Sequence, residues 1–143
     1  MSLDGPYDRE NVFARILRGE LPTTKVYEND HVIAIMDLFP QSRGHCLVLP
    51  KVPCRNLFDV PADALKETIA AVQTVANAVR DALSPDGVSI FQFNGAAGGQ
   101  TVFHLHFHIV PRFEGEPMKG HGQAGMADAE ELKAIAEQIR AAF

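Results

Sequence analysis

Three histidines recur at alternate positions in the segment His104-Leu105-His106-Phe107-His108-Ile109-Val110. Successive side chains of an extended strand point to opposite faces, so His104, His106 and His108 share one face at steps of about 6.6 Å. Leu105, Phe107 and Ile109 share the other face, which suits a core. A row of imidazoles does not pack well, because each ring removed from water needs hydrogen-bond partners for two nitrogens. Three readings fit the row. It is a catalytic histidine cluster, a metal site in which an HxH pair aims two rings at one ion, or a solvated face that happens to be rich in histidine.

The preceding loop, Asn94 to Gln100, favours the first reading. Gly95, Gly98 and Gly99 let backbone amides approach a ligand closely, and consecutive amides can form an anion-binding nest. Asn94, Gln100 and Thr101 add neutral donors. Donors beside nucleophilic imidazoles suit phosphoryl chemistry, where charge on phosphate oxygens must be stabilised. A Gly-rich loop alone is commonly only a turn. His45 follows Gly44 at a strand start and Asp37 follows an apolar strand; both positions are commonly structural. His31 and His121 sit in polar or Gly-rich surroundings and read as surface. Cys46 lies in an apolar strand and reads as core, whereas Cys54 has no assigned role.

The elements that must position these residues follow from periodicity and punctuation. Asp8 is expected to cap a helix running through Arg18, with Phe13, Ile16 and Leu17 on its apolar face and Gly19 ending it. Val26-Tyr27 and His31 to Met36 read as strands joined by a turn at Glu28-Asn29-Asp30. His45 to Leu49 reads as a strand stopped by Pro50. Pro61 opens the longest helix, about Ala62 to Leu83, with Leu65, Ile69, Val72, Val75, Ala76 and Val79 at helical spacing. Val88 to Phe93 and Thr101 to Val110 read as strands, the second closed by Pro111. The Gly- and Pro-rich stretch 113–125 reads as a mobile loop, and Asp128 as the cap of a final helix burying Leu132, Ile135 and Ile139. The class is α+β: a mainly antiparallel sheet, one long covering helix and shorter helices at each end. The chain, 1–143, reads as a single domain with its core over about 8–112 and a loop and C-terminal helix over 113–143.

Composition narrows the field. Of 143 residues, 46% are hydrophobic and 22% charged, as in ordinary globular domains. No apolar run approaches the ~20 residues of a membrane span. A net charge of -5 argues against coating nucleic acid through phosphate contacts. Two cysteines without CxxC spacing suit reduced thiols and a cytoplasmic location. The start of the chain has no apolar segment like that of a secretory signal.

His104 to Val110 matches the pattern His-φ-His-φ-His-φ-φ, with φ apolar. The run Gly98 to Arg112, GGQTVFHLHFHIVPR, resembles the bacterial histidine triad hydrolases and is close to their fragile-histidine-triad branch. Phe13 to Pro22, Val26-Tyr27-Glu28, Ile35-Met36-Asp37 and Gly44 to Lys51 follow the family order, so the resemblance covers about Phe13 to Arg112. It implies a sheet of about five antiparallel strands with one long helix, paired into a homodimer. It also implies that His106 attacks the α-phosphorus of a nucleotide, forming a covalent nucleotidyl-histidine that is then hydrolysed. The implied substrates are dinucleoside polyphosphates or nucleoside phosphoramidates. The main-chain carbonyl of His104 would fix the tautomer of His106, and His108 and His45 would contact the α-phosphate. Asn94, Gly99, Gln100 and Thr101 would hold phosphate or leaving-group oxygens. Asp37 would accept from the ribose, and Phe13, Ile16 and Leu38 would line the base pocket.

One departure from the family bears on cofactors. Many bacterial members hold zinc through a CxxC, a histidine after the PK motif and the first triad histidine. Here those first three positions are Asn11, Ala14 and Pro53, so no thiolate cage remains and no cofactor is expected. The Trp-containing C-terminal segment of the phosphoramidase branch is also missing. Two other functions fit the histidines: a metal-dependent hydrolase or metal-binding protein using His104, His106 and His108, and a non-catalytic nucleotide-binding protein. A homodimer is expected to use Ala70, Ala71, Ala76, Ala78 and Ala82, small residues that allow helices to approach closely. Packing against the sheet of the same subunit explains them equally well.

Overall fold

A computed structural model describes residues 2–117 and 125–143. His121 and most of the second half of the 113–125 loop fall outside the described residues. In chain order the elements are α1 (Val12–Leu17), β1 (Lys25–Glu28), β2 (Val32–Met36), β3 (Cys46–Pro50), α2 (Ala62–Leu83), β4 (Gly87–Phe91), β5 (Phe107–Arg112) and α3 (Ala129–Arg140). The strands form one sheet in the order β1-β2-β3-β5-β4, and every pair is antiparallel. This is the α+β sheet-and-helix arrangement expected from the sequence.

The sheet is apolar on both faces for two different reasons. One face carries Ala34, Met36, Cys46, Val48, Phe107 and Ile109 against Val72, Val75 and Val79 of α2 and Leu132, Ala136 and Ile139 of α3. Each large aliphatic side chain fully buried there contributes about 1.5–3 kcal/mol. The opposite face carries Ile33, Ile35, Leu47 and Leu49 under Phe13, with Ile16, Leu17 and Val102 packed alongside. The two long helices, α2 and α3, therefore keep to one side, and the short α1 covers only part of the other, which is where the histidines lie. His108 sits opposite Leu47 on β3 and Phe91 on β4.

Several boundaries differ from the sequence reading. The last strand starts at Phe107 rather than Thr101, because residues 101–106 are outside the ladder. It continues through Pro111 to Arg112. Proline is tolerated there because β3 pairs only as far as Ile109, so β5 beyond it has a neighbour on one side only. The strand expected to reach Phe93 stops at Phe91. The first helix begins at Val12, with Asn11 as its N-cap: Asn11 Oδ1 accepts from Ala14 N–H at 2.9 Å. Asp8 instead closes the turn before it, accepting from Glu10 N–H at 2.9 Å. Both long helices match expectation, and Asp128 caps α3 by accepting from Glu131 N–H.

The alanines of α2 mostly pack within their own subunit. Ala71 and Ala78 are buried, Ala76 and Ala82 lie against the core, and Ala70 is exposed. The small-residue argument for a dimer through α2 is therefore replaced by packing on the chain's own sheet. Ile69, expected on the apolar stripe of α2, is exposed instead, and further exposed apolar side chains include Val88 and Ile90 on β4, an edge strand.

Gly44 shows why the chain can turn into β3 just before His45. Its φ is +89°, and a Cβ there would collide with Leu83 Cδ1. Gly44→Ala is expected to lower stability by about 1–3 kcal/mol, the cost of strained left-handed backbone. A lower urea midpoint at unchanged slope would show it, and an unchanged midpoint would contradict the argument.

Candidate active site

Four imidazoles are buried together: His45, His104, His106 and His108. Burial at this level is tolerable only where ring nitrogens are paired, and the pairings fix the tautomers. His104 Nε2 lies 2.8 Å from the carbonyl oxygen of Pro50. A carbonyl only accepts, so Nε2 carries the proton. His104 Nδ1 is then an acceptor, and the Tyr7 hydroxyl donates to it at 2.6 Å. Burial holds the His104 pKa below 6.5, in keeping with a neutral ring.

His106 is set by the backbone. Its Nδ1 lies 2.7 Å from the main-chain oxygen of His104. Nδ1 must donate there, which leaves the lone pair on Nε2. The edge-on ring of Phe13, 4.9 Å away, fills the space beside it. His45 is set from the other direction. Gln41 N–H donates to its Nδ1 at 3.0 Å, so the proton of a neutral His45 sits on Nε2. That nitrogen faces His108 Nδ1 at 2.9 Å and Asp37 Oδ2 at 3.4 Å. His108 Nδ1 accepts, which puts the His108 proton on Nε2.

His106 and His108 line a cleft of about 410 Å³. Of the residues singled out from the sequence, Phe13, Ile16, Asp37, Leu38 and Thr101 also line it. Asp37 is not wholly free for a ligand, since its Oδ1 accepts from Phe39 N–H at 2.8 Å. Leu38 is anchored in turn, its carbonyl accepting from Ala127 N–H at 2.9 Å. Val12, Pro22, Thr23 and Phe39 complete much of the apolar wall. The sequence reading missed them, although Val12 and Phe39 each adjoin a residue it named.

Three expected donors are not brought into the cleft. Gln100 is buried, with its Oε1 accepting from Gly95 N–H and its Nε2 donating to the carbonyls of Arg55 and Val102. Its amide therefore pins the loop rather than offering donors to a ligand. Asn94 is paired with Gln92 and accepts from Leu57 N–H. The amides of Gly98 and Gly99 close the short 3-10 turn onto Gly95 and Ala96. The loop spends those two donors on its own conformation, so the anion nest expected from its glycines is not formed by them.

The positions where relatives hold zinc are filled in other ways. Asn11 caps α1, Ala14 is packed in the core and Pro53 is exposed. Cys54 is buried next to Pro53, and burial pushes its thiol up to about 12. Both nitrogens of His104 are engaged by Tyr7 and Pro50. These residues do not fit a zinc cage. One other trio, Asp37, His45 and His108, offers atoms within 4.8 Å of one another. His45 cannot easily serve there, because the atom facing that point carries its proton.

An antiparallel sheet covered by its two long helices on one side, with a backbone-oriented imidazole in a cleft on the other, defines the class of histidine triad proteins. The HIT domain family model matches residues 18–115, and the chain belongs to that family. It is 39% identical over 102 residues to the Hit protein of Bacillus subtilis, covering 71% of this chain and 70% of that one. It is 40% identical over 103 residues to the adenylylsulfatase HINT3 of Arabidopsis thaliana, 72% of this chain and 52% of that protein. A Hit-like protein of Bartonella henselae superposes with a TM-score of 0.90 at 47% identity, covering 97% of this chain and 100% of that one. These likenesses do not single out the fragile-histidine-triad branch.

His104 also makes stability depend on pH. Its pKa is lowered on folding from 6.5, so the unfolded chain takes up the proton first. The stability gained is present above about pH 6.5 and falls away as pH drops below it. Denaturant midpoints at pH 7.5 and 5.5 should therefore fall less in His104→Gln than in the native chain. Equal declines would contradict the assignment.

Proposed function

We propose that the chain hydrolyses a nucleoside phosphate bond at the α-phosphorus, with His106 as nucleophile. The hydrogen bond from His106 Nδ1 to the His104 carbonyl, 2.7 Å long, carries this reading. It leaves a basic nitrogen on a ring that lines the cleft. In the first step His106 Nε2 forms a bond to the α-phosphorus. The bond from phosphorus to the leaving group breaks, and the leaving group departs with the electron pair and then takes up a proton. In the second step water attacks the nucleotidyl-histidine, releases a nucleoside monophosphate and restores the imidazole. His108, protonated on Nε2 by the Gln41–His45 relay, donates to a phosphate oxygen as negative charge builds. Asp37 accepts from the ribose through Oδ2, while Phe13, Ile16, Leu38 and Phe39 hold the base by apolar contact.

Dinucleoside polyphosphates and nucleoside phosphoramidates are the substrate classes. The likeness to an adenylylsulfatase adds mixed anhydrides of the α-phosphate as a third class. No metal is needed for these steps. The His45 proton stands where an ion would sit in the Asp37–His45–His108 trio, and His104 has given both nitrogens to Tyr7 and Pro50. The protein works as a homodimer joined along β4, where Val88 and Ile90 are exposed on a strand with one edge unpaired among the described residues. Its two unbridged, buried thiols suit the cytoplasm.

His106→Ala should cut turnover by at least about a thousandfold while far-UV circular dichroism stays native. His106→Gly should regain part of the rate when imidazole is added. Mass spectrometry of the quenched native enzyme should show one nucleotidyl adduct, on His106. Normal turnover in folded His106→Ala, or activity abolished by chelators, would overturn the reading. Ile90→Lys should shift the light-scattering mass from dimer to monomer at micromolar concentration, and a monomeric native chain would remove the dimer from it.

A further inference from the structure

We propose that Tyr7 is a positioning residue for the nucleophile, acting through His104. The inference rests on the reading of His106 just given and extends it to a residue outside the cleft. The need for such a residue follows from the strand boundary. β5 begins at Phe107, so no sheet ladder fixes the His104 carbonyl that holds His106. Something else must hold residue 104 in place. Leu105 N–H donates to Cys54 O at 3.0 Å on one side. The His104 side chain supplies the rest, clamped between the Pro50 carbonyl at 2.8 Å and the Tyr7 hydroxyl at 2.6 Å.

A phenol is suited to this place. It is a neutral donor, and half-burial raises its pKa above 10.0, so it keeps its proton. The Asn11 amide, at the cap of α1, donates at 2.7 Å to the carbonyl of Asp8, the residue that follows Tyr7. The relay thus runs from Tyr7 through His104 to the backbone oxygen beneath the nucleophile. The segment carrying Tyr7 is itself tied down. The buried Arg55 guanidinium donates to the carbonyls of Ser2 and Pro6, and the Asn56 amide donates to that of Leu3. The Tyr7 ring meets His104 edge-on at 5.7 Å.

Removing the hydroxyl leaves His104 Nδ1 a buried acceptor without its donor. The imidazole then reorients or changes tautomer, its carbonyl shifts, and the His106 Nδ1–H loses a fixed target. Tyr7 does not line the cleft, so this defect falls on the chemical step and not on substrate binding.

The test is Tyr7→Phe, which keeps the ring, assayed with an adenosine phosphoramidate and examined by long-range 15N–1H NMR of labelled histidines. One net hydrogen bond is worth about tenfold, so kcat should fall about tenfold with KM within about twofold. The Nδ1-protonated population of His106 should fall with it. Unchanged kcat overturns the proposal, and so does a lower kcat with the His106 signals unaltered, which marks a merely structural role. The native chain provides a check independent of the variant's folding. His104 should be protonated at Nε2 and show a cross-relaxation contact with a slowly exchanging Tyr7 hydroxyl proton; a His104 protonated at Nδ1 overturns the proposal. Should the native chain show this network yet turn over no α-phosphoryl substrate, the functional reading fails and the positioning role of Tyr7 stands.

Discussion

A single backbone hydrogen bond fixes the proton position on a ring that lines the cleft. The His106 imidazole donates through Nδ1 to a carbonyl two residues earlier in its own chain. A side-chain acceptor could rotate away or titrate. A peptide oxygen does neither, and it accepts only. The tautomer of His106 is thereby written into the main chain, and the surrounding structure is arranged to keep that peptide still. The sheet delivers His108, the N-terminal segment and the end of β3 hold His104, and Phe13 closes the space beside His106.

The cost of this arrangement is four histidines taken out of water. Buried imidazoles are acceptable because their partners impose complementary proton positions. Gln41 N–H sets His45, His45 sets His108, and Pro50 sets His104. The bonded nitrogens of each ring agree with one neutral tautomer, and a second tautomer at any of the three would place two donors or two acceptors face to face. Networks of this kind favour one arrangement strongly over its alternatives. The burial that lowers the His104 pKa is part of the same design, since a charged ring there would disturb the peptide beneath His106.

Much of this was legible in the residues themselves. α2 was read to its ends because Val72, Val75 and Val79 repeat at helical spacing between Pro61 and Ser84. The alternation around His106 correctly separated Leu105, Phe107 and Ile109 into the core. What local pattern could not show was where backbone bonds go once the chain leaves an element. Thr101 to His106 looked like strand by composition, yet Leu105 N–H pairs with Cys54 and not with a neighbouring strand. Gln100 and Asn94 looked like ligand donors because they are polar and flank glycines. Their amides are consumed by Gly95, Arg55, Val102, Gln92 and Leu57, partners mostly set by the fold. Tyr7 gave no signal, since its hydrogen bond is to a residue 97 positions away.

The bond from Ala127 N–H to the Leu38 carbonyl ties the rim of the cleft to the chain just before α3. During synthesis the histidines emerge from the ribosome well before Ala127 does. A nascent chain at that stage has its triad histidines but lacks the strut that braces one wall of the cleft. Bracing of that wall is thus deferred until the chain just before α3 has been made.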